Sequence, residues 1–381
     1  MQTNLTYITR VNLPSSAAQS KQILAMSKEF SKILGNNFHL ISGVTISSKN
    51  DTFEYRELEK NSTWTKISLP NLEFMKQTFY FFYTFIYCKK KSSNGANNII
   101  YTRDLVVAIS SLIFGNYTIY EAHKEPKSVL AYFLFKLGFL FRNFKIIAVS
   151  GALSNYFITE FRIKKKIILV AHDGADVNVY NNLRMHSKNY FRNILKIEKS
   201  RLLIIHTGSL RVGVSDFLFK ISTISPPKAL IIHIGGQSNI CASLNSKCKD
   251  FGLSNLIFIP QVNGNISRYY QCAADLLIFY LDKKEDTSWC ASPLKVFEYM
   301  ATGNPIFASF SGSASEVLNN SNAFLFSPEF TLNFESTLND SIFNKTKRDR
   351  LSSKAYFDVS NHYSWEKRAT QILNFTKSFT K

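Results

Sequence analysis

The chain has 381 residues, 45% of them hydrophobic and 14% aromatic, and a formal net charge of +19 at pH 7. This length exceeds one typical hydrophobic core and suits two domains. No apolar run reaches the roughly 18 residues of a membrane span, and the first residues lack the pattern of a secretory signal.

Short apolar runs alternate with longer helical patterns along the whole chain. The candidate strands form two series, at residues 5–9, 38–41, 99–101, 117–120, 146–149 and 167–171, and then at 202–205, 230–234, 256–259, 276–279, 306–308 and 323–326. Apolar runs that are separated by helices predict parallel sheets built from βαβ units. The sequence therefore predicts an α/β fold with two doubly wound, Rossmann-like domains.

The order of these elements predicts the domain boundaries. We place the first domain at residues 1–178 and the second at residues 201–355. A linker is expected at 179–200, because that stretch is polar and helix-prone and lies between the two series of strands. A helix that docks on the body is expected at 356–381. Residues 44–72 show little periodicity and fit either a β-hairpin or a long loop.

The net positive charge predicts an anionic partner, such as nucleic acid, acidic lipid or a phosphorylated substrate. Three lysines at 89–91 follow the aromatic run at 79–87, and the apolar run at 129–144 carries cations among its aromatic residues. Basic residues beside aromatic ones favour a protein that lies on an anionic membrane surface. The alternative for each segment is a buried helix with a solvated lysine turn. Five scattered cysteines predict reduced thiols and a cytoplasmic protein.

Residues 292–305 carry the strongest functional signal in the sequence. Ser292 predicts an N-cap, Pro293 the first helical position and Gly303 the end of the helix. A helix N-terminus presents unpaired N–H groups and a partial positive charge, which suit a phosphate group. Glu298, on the second turn, is placed to accept hydrogen bonds from the two hydroxyls of a ribose. Together these features predict a nucleotide-sugar site.

This block, Ser-Pro-Leu-Lys-Val-Phe-Glu-Tyr-Met-Ala-Thr-Gly-Asn-Pro, resembles the nucleotide-binding signature of the retaining glycosyltransferases of family 4 (group 1). Weaker matches extend from about residue 4 to about residue 375. The resemblance implies the GT-B fold, in which two Rossmann-like domains face each other across a cleft and a C-terminal helix crosses back to the first domain. The first domain then binds the acceptor, and the second binds the nucleotide-sugar.

The resemblance also implies which residues of the second domain bind the donor. They occupy glycine turns, loops and the signature itself: Gly208, Ser209, Arg211, Gly236, Gln261, Val262, Ser292, Pro293, Leu294, Lys295 and Glu298. Two positions depart from the family pattern. Val212 stands where a lysine that clamps the donor phosphates is common, and Cys290 stands where many relatives carry the first of two glutamates. The lysine half of the clamp is therefore left open.

In the first domain, Glu121 and His123 lie at the carboxyl end of a predicted strand, the edge at which open α/β sheets bind ligands. The resemblance implies that His123 contacts the transferred sugar, and the predicted catalytic set is His123, Glu121 and Glu298. Asp173 and Gly174 predict a plain turn. The residues expected on the acceptor side are Ser15, Ser16, Ala17 and Arg103. No metal and no other cofactor is implied.

The sequence as a whole predicts a retaining glycosyltransferase that moves a sugar from a nucleotide-sugar to a lipid-linked or polysaccharide acceptor in cell-surface polysaccharide assembly. It is expected in the cytoplasm, on the inner face of the membrane, with no nucleic-acid partner. A non-catalytic subunit that binds a sugar nucleotide or a glycan is the main alternative, since it would explain Val212 and Cys290. A nucleic-acid-binding protein would explain the charge, but no recognition module is evident. A phosphorylase-like or epimerase-like enzyme could share the architecture.

Overall fold

The computed structural model describes residues 4–15, 17–44, 62–68, 73–92, 98–330 and 333–379. The chain divides into two compact units. Unit 1 comprises residues 1–173 and 365–381, and unit 2 comprises residues 174–364. Each unit contains one parallel sheet with helices between its strands, so the predicted α/β class with two doubly wound domains is confirmed.

The sheet of unit 1 has the strand order β3-β2-β1-β4-β5-β6-β7, and all described pairs are parallel. Its strands are β1 (Asn4–Leu13), β2 (Phe38–Val44), β3 (Thr63–Ser68), β4 (Asn98–Thr102), β5 (Tyr117–Ala122), β6 (Phe144–Ala148) and β7 (Ile168–Val170). The helices between them are α1 (Ala18–Leu34), α2 (Glu73–Ser92), α3 (Leu105–Ile113), α4 (Val129–Gly138) and α5 (Gly151–Phe161). All six strands predicted for this half of the chain are present.

Strand β3 was not predicted, because its residues do not form an apolar run. It pairs with β2 in parallel at the edge of the sheet, so the β-hairpin, one of the two alternatives for residues 44–72, is wrong for this strand. Only Ile67 of its described side chains is buried. An edge strand needs little apolar surface, which explains why periodicity did not reveal it. Residues 45–61 and 69–72 of that predicted segment lie outside the described residues.

The sheet of unit 2 has the strand order β10-β9-β8-β11-β12-β13 and is also parallel. Its strands are β8 (Leu202–Thr207), β9 (Ala229–Ile234), β10 (Leu256–Ile259), β11 (Leu276–Phe279), β12 (Ile306–Ser309) and β13 (Phe324–Phe326). Its helices are α6 (Val177–Arg184), α7 (Lys188–Ile194), α8 (Val214–Ile224), α9 (Ser238–Asp250), α10 (Gly264–Ala273), α11 (Leu294–Thr302), α12 (Phe334–Phe343) and α13 (Lys345–His362). The six strands predicted for this half are all present.

The stretch predicted as a linker is instead part of unit 2, where it forms α6 and α7. Tyr180 and Phe191 are buried in the core of this unit. Arg192 donates to the carboxylate of Asp275 at 2.6 Å, and the same oxygen accepts from the backbone N–H of Leu203 at 2.9 Å. This Arg192–Asp275 ion pair, called the anchor below, joins residues far apart in sequence. The polar composition of the segment therefore did not predict it.

The last helix, α14 (Trp365–Thr376), belongs to unit 1 although it follows unit 2 in the chain. Ala369 and Ile372 are fully buried, and the helix packs against α1. On β6, Lys145 donates to the carbonyl of Phe375 at 3.3 Å and lies 4.1 Å from the centroid of the Phe379 ring. The chain end is therefore fixed to the first sheet, as the resemblance implies, while the early part of the predicted helix belongs to α13 of unit 2.

The ion pair of Arg192 with Asp275 predicts a stability effect that distinguishes this anchor from surface charge. Arg192→Met leaves a partly buried carboxylate without its main partner, and we expect the free energy of unfolding to fall by about 2–3 kcal/mol. Lys188→Met is the control, because Lys188 is 39% exposed and lies 3.8 Å from the same carboxylate. It should cost less than about 1 kcal/mol. Urea titration followed by circular dichroism checks both, and equal losses would contradict the expected anchor.

Candidate functional site

Two glycine turns lie side by side at the carboxyl edge of the sheet in unit 2. Gly208 follows β8, and Gly235 and Gly236 follow β9. The N–H of Gly208 donates to the carbonyl of Ile234 at 2.8 Å, and a Cβ on Gly235 would lie 2.0 Å from the Gly208 carbonyl oxygen. With φ of 137° at Gly235, only glycine fits there. The two turns thus pack backbone against backbone at the edge where parallel sheets bind ligands.

Helix α11 begins beside these turns, one residue later than predicted. Pro293 occupies the N-cap position in an extended conformation, with ψ of 115°, and its carbonyl accepts from Val296 at 3.0 Å. Ser292 is therefore not the N-cap, and that prediction is wrong. The extended backbone of Pro293 moves the first helical position to Leu294, so Ser292 lies one residue before the cap. Gly303 ends the helix with φ of 70°, as predicted.

Lys295 lies on the first turn of α11 and directs its side chain to the glycine turn. A Cβ on Gly208 would lie 2.8 Å from the Lys295 Nζ, so the ammonium group rests directly on the backbone of the turn. Burial and the nearby Arg211 lower the pKa of Lys295 to about 8. A partly buried cation on a glycine turn attracts an anion more strongly than a fully solvated one, because water screens it less.

The other predicted donor residues lie at the same edge of the sheet. Arg211 is 48% exposed and donates to Glu285 at 3.3 Å. The backbone N–H of Gln261, just after β10, donates to the carbonyl of Gly236 at 3.1 Å. Ser209 is exposed, and Val262 packs against the core. The carboxyl ends of β8, β9 and β10 thus bring together positions as distant in sequence as Gly208 and Val262.

Glu298 is half-buried on the next turn of α11 and is held by Gln271. The Nε2 group of Gln271 donates to Glu298 Oε2 at 3.1 Å and to Thr207 Oγ1 at 3.2 Å. The hydroxyl of Tyr180 donates to Gln271 Oε1 at 2.6 Å. Within the part of the chain that the structure describes, Oε1 of Glu298 accepts no hydrogen bond. The carboxylate is therefore oriented through one oxygen, and sequence gave no signal for Gln271 because the network forms only in the fold.

In unit 1, Glu121 lies near the end of β5, His123 directly follows that strand, and the two side chains form a tight pair. His123 Nε2 lies 2.5 Å from Glu121 Oε1, and Gln22 on α1 donates to the same oxygen at 2.6 Å. Burial by itself would raise the pKa of Glu121, but Arg368 and His123 hold it at about 2. The Glu121 side chain is completely buried, whereas that of His123 is 24% exposed. This arrangement is that of a carboxylate that orients a histidine and does not itself reach a ligand.

The predicted acceptor-side residues lie at the ends of neighbouring strands of the same sheet. Arg103 follows β4 and donates to the side-chain oxygen of Gln22. Ser15 follows β1, and its N–H donates to the Ser20 hydroxyl at 3.0 Å. Ala17 is exposed and precedes α1. Ser16 lies outside the described residues. The roles assigned to these residues, and the cleft that the resemblance implies between the two units, stay predictions.

Residues 201–340 match the family model described as glycosyl transferases group 1. The chain has the GT-B fold. It is similar to HepE from Anabaena, solved in complex with UDP and glucose, with a TM-score of 0.73 and 18% identity over 99% of this chain and 100% of that one. A glycosyltransferase from Rickettsia africae gives a TM-score of 0.75 and 13% identity over 100% of this chain and 99% of that one.

WaaG, a glycosyltransferase involved in lipopolysaccharide biosynthesis, gives a TM-score of 0.66 and 13% identity over 97% of this chain and 99% of that one. A search of curated proteins gives no match. The resemblance noted in the sequence is thus confirmed for the GT-B fold and, over residues 201–340, for the group 1 family model, while the assignment to family 4 stays a prediction.

The structure bears on both departures of the group 1 domain from its family pattern. Val212 is 54% exposed and, as a valine, carries no charge. Lys295, on helix α11, supplies an ammonium group at the glycine turn instead. Cys290 is fully buried, and its Sγ lies 3.8 Å from the carbonyl of Thr287. A thiol packed in this way is structural, because a reactive cysteine needs exposure and a stabilised thiolate.

Two buried histidines beneath the glycine turns were not predicted from the sequence. His206 on β8 and His233 on β9 are paired in register, with their Nδ1 atoms 2.8 Å apart. His233 Nε2 lies 3.1 Å from the carbonyl oxygen of Gly235. Burial and Lys295 lower the pKa of His233 to about 3, so the ring is neutral at physiological pH. The sequence did contain a signal for this pair, because each of two successive apolar strand segments carries a histidine one residue before its last position.

The contact between the glycine turns predicts a specific sensitivity to added methyl groups. Gly235→Ala should lower the free energy of unfolding by about 3 kcal/mol, since the new Cβ collides with backbone that cannot move aside. Gly252→Ala is the matched control, because Gly252 also has positive φ, 69°, but open space around it. It should cost about 1 kcal/mol. Thermal unfolding measures both, and equal destabilisation would show that the close approach is unimportant.

Proposed function

We propose that the chain is a retaining glycosyltransferase that moves a sugar from a nucleotide-sugar to a lipid-linked or polysaccharide acceptor without a metal cofactor. The observation that carries this proposal is the partly buried Lys295 ammonium on the Gly208 turn, beside the N-terminus of α11. The UDP and glucose bound to HepE support a UDP-sugar donor, and the pathway of WaaG supports an acceptor of cell-surface polysaccharide.

The chemistry that this site favours is electrostatic. When the glycosidic bond breaks, negative charge grows on the leaving diphosphate. Lys295, Arg211 and the first N–H groups of α11 would stabilise that charge, and one preorganised donor of this kind is typically worth about 10²–10³ in rate. Glu298 would bind the ribose hydroxyls through its open oxygen, and His123 would orient the transferred sugar. Arg103, Ser15, Ser16 and Ala17 would line the acceptor side.

The lowered pKa of Lys295 predicts pH-dependent donor binding. A bound diphosphate favours the charged lysine, so affinity for UDP-glucose should be full below the free pKa of about 8 and fall as pH rises through it. We expect Lys295→Met to weaken binding by about 10- to 100-fold at neutral pH and to abolish this dependence. Calorimetric titration with UDP-glucose, whose diphosphate does not titrate in this range, measures both effects.

Two variants act as controls for Lys295→Met. Lys283→Met removes the same charge from a side chain that is 62% exposed in the same unit and should leave binding unchanged. Arg211→Ala should weaken binding less than Lys295→Met, because Arg211 is half exposed and already paired with Glu285. An equal effect of Lys283→Met, or an unchanged pH dependence in Lys295→Met, would remove Lys295 from the site.

The activity itself is tested by a donor screen. Mass-tagged UDP-, GDP- and dTDP-sugars are offered with lipid-linked saccharide acceptors, and the product is analysed for transfer and for the configuration at the anomeric carbon. The proposal expects transfer with retained configuration. Tight donor binding with neither transfer nor hydrolysis would overturn it in favour of the non-catalytic binding subunit.

We further propose that unit 1 lies on the inner, cytoplasmic face of an anionic membrane, where a lipid-linked acceptor would be found. Helix α2 buries Tyr80, Thr84 and Cys88 and turns an apolar stripe outward. The exposed residues of this stripe and of the matching stripe on α4 form what we call the apolar face: Phe79, Phe82, Ile86, Val129, Leu130 and Phe133. Helix α3 lies between α2 and α4 and packs against both.

The charge around the apolar face suits acidic lipid headgroups. Lys89 and Lys90 are exposed at the end of the α2 stripe, and Lys136 is exposed on the α4 stripe. Exposed apolar side chains with lysines beside them are typical of proteins that bind the membrane interface. Among the described helices, none has the length and apolar character needed to cross a bilayer.

We expect the three lysines at 89–91 to contribute to lipid binding because they lie beside the apolar face. Their triple alanine variant is expected to lose about 100-fold in affinity for phosphatidylglycerol vesicles at low salt, since each lysine near such a surface is worth about 1 kcal/mol. The triple alanine variant of lysines 164–166, which are also exposed in unit 1, is the control with the same loss of charge. Vesicle sedimentation measures both, and equal losses would retire the apolar face as the docking surface.

A further inference from the structure

Arg368, on the last helix of the chain, is buried among the charged groups at the carboxyl edge of the sheet in unit 1. Its side chain is 2% exposed. Nη1 donates to Glu121 Oε2 at 3.3 Å, Nε to the carbonyl of His172 at 2.9 Å, and Nη2 to the carbonyl of Ala171 at 3.2 Å. Asp173 Oδ1 lies 3.9 Å away. The guanidinium group is thus fixed on the strand ends by backbone as well as by charge.

The two oxygens of Glu121 divide their partners between this arginine and the predicted catalytic histidine. Oε2 faces Arg368, while Oε1 lies 2.5 Å from His123 Nε2 and accepts from Gln22 at 2.6 Å. A carboxylate without any exposed surface cannot stay ionised without a nearby cation. Arg368 is the principal neighbour that lowers the pKa of Glu121 against the opposing effect of burial.

An ionised Glu121 determines which nitrogen of His123 carries the proton. A carboxylate only accepts hydrogen bonds, so the proton lies on Nε2 and Nδ1 is left as an acceptor. Burial and Arg103 lower the pKa of His123, which keeps the ring neutral. In the described part of unit 1, no residue is hydrogen-bonded to Nδ1, and the ring is partly exposed. That nitrogen is suited to accept a hydrogen bond from a sugar hydroxyl.

We propose that Arg368 is a positioning residue, which holds Glu121 as the acceptor for His123 Nε2 and thereby presents Nδ1 of a neutral His123 to the ligand. The inference rests on the proposed role of His123 in sugar binding. It also gives α14 a function beyond packing, because residues 1–173 of unit 1 lack this guanidinium group until the end of the chain has docked.

The electrostatic consequence has a definite sign. The charged and titratable groups around Glu121 and His123 are Arg103, Asp173, Arg368 and the hydroxyl of Tyr7. Removing the Arg368 cation raises the proton affinity of the Glu121–His123 pair, which titrates as a unit. The added proton binds either His123 Nδ1 or the carboxylate, and in the second case the tautomer reverses. With either outcome His123 Nδ1 carries a proton. As the pH is lowered, the variant without Arg368 therefore loses its bare Nδ1 at a higher pH than the unaltered protein does.

Nuclear magnetic resonance of protein labelled with ¹⁵N at histidine tests the proposal without donor or acceptor. The His123 signals are assigned by their loss in His123→Gln. In the unaltered protein we expect a protonated Nε2 and a bare Nδ1 at neutral pH. In Arg368→Gln, the pH midpoint for loss of the bare Nδ1 should rise by about one unit or more. Arg368→Lys, which keeps the charge, should restore most of that shift.

Lys367→Gln removes the same charge from an exposed residue of the same helix and should leave the midpoint unchanged. A proton on Nδ1 in the unaltered protein would overturn the proposal and requires no variant. It is equally overturned if Arg368→Gln, folded by circular dichroism, keeps the original midpoint, or if Lys367→Gln shifts it as far. Because no substrate is involved, failure here is distinguishable from failure of UDP-glucose to bind at Lys295.

Discussion

The backbone contact between Gly208 and Gly235 is the constraint on which the candidate donor site depends. Since a Cβ on Gly235 would lie 2.0 Å from the Gly208 carbonyl, both turns must be bare backbone. Bare backbone leaves space above the strand ends, and the Lys295 ammonium occupies part of it. The His206–His233 pair supports the turns from below without adding charge. A closely packed edge with one partly buried cation has the features that favour binding of an anion.

In unit 1, the carboxyl edge of the sheet holds buried charged groups. It buries two carboxylates, Glu121 and Asp173, which would be unstable alone. Arg368 and Arg103 balance them from α14 and from the end of β4. This balance leaves His123 as the partly exposed member of a rigid polar cluster. Charge compensation thus adds to the apolar packing of Ala369 and Ile372 in holding the last helix on unit 1, and it keeps an ionised Glu121 beside His123.

Sequence periodicity predicted the strands well because parallel strands are buried on both faces and form continuous apolar runs. It missed β3, an edge strand on which Ile67 is the one buried residue among the side chains described. It also mistook α6 and α7 for a linker, because Arg192 ties them to the unit through Asp275, which is distant in sequence. The signature helix was found, but its N-cap was assigned to Ser292 in place of Pro293. Local rules failed where a tertiary contact or a proline overrode them.

By itself, the sequence determined the α/β class, the two sheets and the positions of the glycine turns, since these follow from apolar runs and from residues that tolerate unusual backbone. It also identified Lys295, Glu298 and His123 as candidates through their place in motifs. Only the tertiary structure decided that Lys295 reaches Gly208 and that Arg368 reaches Glu121, 247 residues away. Contacts of this kind join side chains from separate elements, and no periodicity in a single chain records which strand ends will meet.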